Sequence, residues 1–154
     1  MTEIYVDSDG CPVKEEALRV AVRHGLVVHF VSDRWQRGLD HPLARKVVVT
    51  QGADAADDWI AARIGHADIA VTTDIPLARR CLDRGAQVIG PSGRPFTEAS
   101  IGMAMAMRDL KAQLREAGTM TGGPPAFSRQ DRSRFLSALE VAVQASKRVP
   151  PAPP

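Results

Sequence analysis

The chain has 154 residues, 44% hydrophobic and 25% charged, with a formal net charge of +2 at neutral pH. That length suits one domain able to bury a core without disulfides or structural metal, and no apolar run approaches the ~20 residues of a membrane span. The small charge does not by itself point to a nucleic-acid partner, although the 20 basic residues could still gather on one face.

TEIYV (2–6) reads as a short strand. PVKEEALRVAVRHG (12–25) reads as a helix with Pro12 at its first position, acids early, bases late and Gly25 just past the end. LVVHFVS and KVVVT (46–50) are β-branched runs too short for helices, hence strands. ADAADDWIAARIG gives a second helix, with Asp54 as N-cap and Gly65 as stop; DIAVTT gives a strand, IPLARRCLDRG a helix and AQVIG a last strand. Alternating strands and helices mean a doubly wound, mostly parallel α/β sheet covered on both faces. TEASIGMAMAMRDLKAQLREAG adds a long helix, TGGPP a loop and SRQDRSRFLSALEVAVQASK a final helix starting at Ser128, both helices packing on the sheet. Residues 1–148 thus form one domain, and 149–154 a proline-rich disordered tail.

In an open parallel sheet, ligands bind beyond the carboxyl ends of the strands. Asp7 and Asp9 follow the first strand, Asp54 and Asp57 the KVVVT strand, and Asp74 the DIAVTT strand, so all five lie at one edge. Helical phase puts Asp57 on the face of Ile60 and Ile64, looking over the sheet, and turns Asp58 to solvent. Clustered carboxylates repel, by about 4 kcal/mol per pair at 4 Å for an effective dielectric near 20. A hard cation, Mg²⁺ or Mn²⁺, offsets that repulsion and supports attack of water on a phosphodiester. Helix capping competes with this reading: Asp54 as cap, Asp57 at the capping-box position, Asp9 as cap of the helix near Pro12, and Asp74 as a helix start before Ile-Pro.

VDSDGCPV, GADAADDWI, AVTTDIPLA, MRDL and TGGP, in this order and spacing, resemble the YaiI/YqxD family of uncharacterised bacterial proteins, over nearly the whole chain to about residue 145. That family is regarded as PIN-domain-like. PIN domains are metal-dependent ribonucleases with acidic residues after the first strand, on a middle helix and in a T-x-D element after a later strand. Asp7, Asp57 and Asp74 match these places, so the resemblance implies that they are catalytic, and RNA is the implied partner. Ser8 and Gly10 stand where alanines are expected from the family pattern.

The pattern D-x-D after a strand also resembles haloacid-dehalogenase-like phosphatases, with Asp7 as nucleophile and Asp9 as general acid. There the acidic pair follows the Thr/Ser strand, whereas here Asp57 and Asp58 precede Thr72 and Thr73, which argues against it. Cys11 at a helix start invites a thiolate reading, but Ala17 stands where a cysteine phosphatase needs arginine, and a small buried residue is the expectation. A non-catalytic RNA-binding or regulatory role is the remaining alternative.

Lys14, beside Asp9, and Arg37, in the loop before KVVVT, are expected to meet substrate phosphates, as are Arg34, Arg45 and Lys46 nearby; Trp35 is expected either to stack on a base or to cover the core. TGGP offers backbone N–H groups to a phosphate or simply joins two helices. His24, His29, His41 and His66 have no zinc spacing. Met103, Met105 and Met107 are expected in the core rather than against a partner helix. MTEIYVDSDG lacks the character of a secretory signal and the two cysteines are expected to be reduced, so the expected location is the cytoplasm. The sum is a metal-dependent hydrolase of phosphodiester bonds, with Mg²⁺ or Mn²⁺ held by Asp7, Asp9, Asp54, Asp57 and Asp74.

Overall fold

The computed structural model describes residues 1–50, 52, 54–116 and 127–150. The strands are β1 (Ile4–Asp7), β2 (Val28–Ser32), β3 (Ala44–Val48), β4 (Ile69–Val71), β5 (Gln87–Ile89) and β6 (Pro95–Phe96). They form one sheet in the order β3-β2-β1-β4-β5-β6, parallel except for β6, which runs antiparallel to β5. The helices among the described residues are α1 (Lys14–His24), α2 (Ala55–Arg63), α3 (Ile75–Asp83), α4 (Glu98–Glu116) and α5 (Arg129–Arg148). This is the doubly wound α/β architecture expected, with C-terminal helices added.

Strand alternation builds two cores from one sheet. Ile4 and Val6 of β1, Val28 and Phe30 of β2, and Ile69 and Val71 of β4 meet Ala17 and Val20 of α1 and Phe135, Leu139 and Val143 of α5. Their neighbours Tyr5, Val31 and Ala70 point the other way, onto Ile60 and Ile64 beside α2 and Leu77, Ala78 and Cys81 of α3. The order reverses between β1 and β4, and this switch point is where a parallel sheet opens a crevice at its carboxyl edge. The first strand-to-helix loop there reads DSDGCP, so it presents carboxylates where dinucleotide-binding folds place a glycine-rich cradle.

Several boundaries differ from the sequence expectation. Helix α1 begins at Lys14, not Pro12, because Cys11 N–H bonds the Ser8 carbonyl (3.0 Å) in a turn that includes Gly10 at φ +73°. The first helical carbonyl is that of Val13, which accepts from Ala17 N–H (3.0 Å). Asp9 is therefore no cap of α1. Strand β3 lies two residues earlier than KVVVT, since β2 ends at Ser32 and its partner there is Val48. Strand β6 was not expected: two residues starting with proline carry no readable period. Beyond Ile101, no residue of α4 from 102 to 114 is buried, and Met103 is 70% exposed, so the methionines are not core. The helix packs on the second core through Ile101, and its residues from 102 to 114 are half-buried or exposed. TGGP and the tail from residue 151 lie outside the described residues.

Candidate functional site

Asp7 ends β1, where the pleat turns its half-buried carboxylate over the crevice. Thr72, just past β4, donates its hydroxyl to Asp7 Oδ2 (2.9 Å) and accepts the backbone N–H of Asp74 on the same oxygen (2.9 Å). One buried hydroxyl thus sets the spacing between two carboxylates. Asp74 also caps α3, its Oδ1 accepting from Leu77 N–H (2.9 Å). The capping reading of Asp74 is correct as far as it goes.

Asp57, half-buried one turn before the buried Ile60, lies within hydrogen-bonding reach of the Asp74 carboxylate. Burial, the charges of Asp74 and Asp7, the hydrogen bond with Asp74 and the charge of Asp54 together push the Asp57 carboxyl up to about 7. Burial also raises Asp7; the Thr72 hydroxyl counteracts this, while Asp74 and Asp9 add to it. Two acids raised first by burial and second by neighbouring carboxylates form a coupled group rather than a row of caps.

The remaining candidates divide. Asp54 occupies the N-cap position of α2 but its side chain takes no capping hydrogen bond, so no capping box closes on Asp57; it is exposed and reaches the cluster through its charge. Asp9 is exposed and accepts the Ser32 hydroxyl (2.6 Å), standing on the β2 side of Asp7. Asp58 faces solvent, as its helical phase requires, and pairs with Arg80 (2.8 Å). Among the described residues, no three carboxylate, histidine or cysteine groups come together in a way that could hold a metal ion.

Basic residues flank this edge on two sides. Lys14, Arg34, Trp35 and Arg37 line an open cleft with Ser8 and Asp9. Trp35 is 69% exposed, with Lys46 Nζ 4.4 Å from its ring centre, so it is not a lid over the core. Lys46 itself ties the loop together through the Gly38 carbonyl (2.8 Å) and Asp40 (3.0 Å), which makes it structural. On the other side Thr73, Ser92, Arg94, Gln130 and Arg134 line a cavity of about 1040 Å³. Sequence reasoning missed Arg94 and Arg134, which carry no motif, and Thr72, whose signal was the T-x-D element itself. Cys11 is half-buried against the α1–α5 core and burial pushes its thiol up, the opposite of an activated thiolate.

Similar proteins share this chain nearly end to end. Residues 5–145 match the family model described as "Uncharacterized BCR, YaiI/YqxD family". A UPF0178 protein of Parvibaculum lavamentivorans is 62% identical over 151 residues, covering 98% of this chain and 99% of that one. UPF0178 proteins of Rhodospirillum rubrum and Paramagnetospirillum magneticum are each 55% identical, over 95% and 98% of this chain and 98% and 100% of theirs. No solved structure matches. On a match that spans all the carboxylates of the crevice, the chain belongs to the YaiI/YqxD family.

Proposed function

We propose that the crevice is the site of a divalent-metal-dependent hydrolase of phosphodiester bonds, with RNA as substrate. The observation that carries this reading is the meeting of Asp7, Asp57 and Asp74, from three separate elements, in a half-buried place where their charges oppose one another. A fold keeps such repulsion at a cost to its stability, and a bound cation removes it.

The donors suit Mg²⁺ or Mn²⁺: all are carboxylate oxygens, with no cysteine or histidine among them. Mg²⁺ takes one or two carboxylates and completes its shell with water and substrate oxygens, so the pair Asp57 and Asp74 is a sufficient protein share. Asp57 and Asp74 would hold the ion, with Asp7 beside them and Asp9 and Asp54 at the margins. When bound, the ion would activate water and offset charge on the phosphate. The side chains supply the rest. Thr72 holds Asp7 and Asp74 in register, and Lys14 and Arg37 carry the charge that draws a phosphate toward an acidic edge.

The test is calorimetric titration with Mn²⁺ together with cleavage of an RNA oligomer, on the parent and on Asp57→Asn. Saturable binding and cleavage by the parent, both lost in the variant, are expected. No metal binding by the parent would end the proposal, and aspartyl-phosphate trapped on Asp7 would replace it with a phosphatase.

A further inference from the structure

The cleft on the β2 side of the carboxylates has a volume of about 540 Å³ and is lined by Ser8, Asp9, Lys14, Trp35, Gln36 and Arg37, together with Gly10, Ser32 and Arg34. Its floor and its rim differ in kind. On the floor, Gln36 is only 7% exposed and Ser8 only 3%. Gln36 Nε2 donates to the Phe30 carbonyl (3.1 Å), which fixes the amide orientation, since the flipped amide would set oxygen against oxygen. Its Oε1 is then left without a partner, as is Ser8 Oγ. Neighbouring Ser32 is fully engaged, donating to Asp9 (2.6 Å) and accepting from Arg34 N–H (3.2 Å), so it satisfies neither. Buried polar atoms without partners are costly and uncommon; neither is open to solvent in the free protein, so a ligand in the cleft gains them as their side chains turn toward it.

The rim is aromatic and cationic. Trp35 presents an exposed indole. Neither Lys14 nor Arg37 has an ion-pair partner among the described residues, whereas Arg34 is paired with Asp33 (3.1 Å). Asp9 is the one acid of the cleft, and its charge also bears on Asp7, which places the cleft directly beside the reacting edge.

We propose that this cleft binds one unpaired nucleobase of the substrate strand, stacked on the Trp35 face opposite Lys46, with Gln36 Oε1 and Ser8 Oγ turning to meet its polar edge and Lys14 and Arg37 on the adjoining phosphates. The inference rests on the phosphodiester reading above and adds a base-recognition subsite to it. An aromatic platform accepts any base, while an acceptor and a hydroxyl on the floor demand a hydrogen-bonding edge, so the site distinguishes a base from bare sugar-phosphate.

The experiment is fluorescence anisotropy of a labelled five-nucleotide RNA in EDTA, where metal-dependent cleavage cannot occur, against a fully abasic oligomer of the same length and charge. The parent is expected to bind RNA about tenfold or more tightly than the abasic strand, and Trp35→Ala to lose that preference. Ser8→Ala is expected to weaken RNA binding several-fold while leaving the melting temperature unchanged or higher, because it removes a hydroxyl that has no partner in the free protein. Equal affinity for the two oligomers, no saturable binding, or unchanged affinity in Trp35→Ala overturns the inference. Metal-dependent cleavage that ignores Trp35 would overturn the cleft and leave the hydrolase standing; base-dependent binding with no cleavage in Mn²⁺ would do the reverse.

Discussion

Asp57 and Asp74 show how one residue type serves two ends. Asp74 caps α3 and also meets Asp57, so its two roles separate by substitution. Asp74→Asn keeps a capping oxygen and is expected to hold stability within a few tenths of a kcal/mol, whereas Asp74→Ala loses about 1 kcal/mol; both should weaken Mn²⁺ binding. Denaturant unfolding and metal titration of the pair check this, and an asparagine variant with parental affinity would reduce Asp74 to a cap. Asp57 makes a prediction in pH. Its folded pKa is raised to about 7, so its contribution to stability is fully present below the unfolded value and is lost as pH rises through about 7. In chelator, the melting temperature of the parent should therefore fall relative to that of Asp57→Asn between pH 5 and 8, with the variant at least as stable at pH 8. Parallel profiles would mean that Asp57 titrates normally. Asp58→Ala, which breaks only an exposed pair with Arg80, should cost no more than about 1 kcal/mol and leave metal affinity unchanged.

Between elements, the turn joining β5 to β6 decides how α5 meets the carboxyl edge. Gly93 has φ +89°, and a Cβ there would lie 2.7 Å from the Arg134 carbonyl oxygen. Both atoms belong to backbone, so neither can swing aside. Gly93→Ala should cost about 2 kcal/mol or more, combining left-handed strain with displacement of α5. Gly25 also has a left-handed φ, +68°, but a Cβ there meets nothing within 4 Å. Gly25→Ala should therefore cost only about 1 kcal/mol. Urea unfolding of the two variants distinguishes them, and equal losses would show that the Gly93 turn yields. Helix α5 is further secured by a capping box between Ser128 and Asp131, whose bonds hold the Asp131 carboxyl below the usual range.

At the scale of the molecule, the carboxylates of three elements oppose folding until something neutralises them. A cation that binds only the folded state adds about 2.7 kcal/mol when its free concentration is 100 times its dissociation constant. Thermal unfolding near neutral pH, in chelator and in millimolar Mn²⁺, should show a higher melting temperature with metal in the parent and a much smaller rise in Asp7→Asn. In chelator Asp7→Asn should be at least as stable as the parent, because one repelling charge is gone and an amide can still accept from Thr72. A variant clearly weaker in chelator would make Asp7 a structural acceptor.

Local pattern determined most of the elements, because strands and helices declare themselves by periods of two and 3.6 residues. The acids after β1 and β4 were legible because a parallel sheet sends every strand end to one edge, and the inward phase of Asp57 because Ile60 and Ile64 share its face. What lay beyond local pattern needed partners distant in the chain. The start of α1 depended on the turn at Ser8 and Cys11, the end of β3 on where β2 stops, and the exposure of the α4 methionines on how little of that helix meets the sheet. Only tertiary structure freed Asp9 and Asp54 from their capping roles, brought Thr72 between two aspartates, and set Gln36 and Ser8 unpartnered beside an exposed tryptophan. A hydrogen bond or its absence belongs to atoms that meet in space, and the order of residues along the chain records neither.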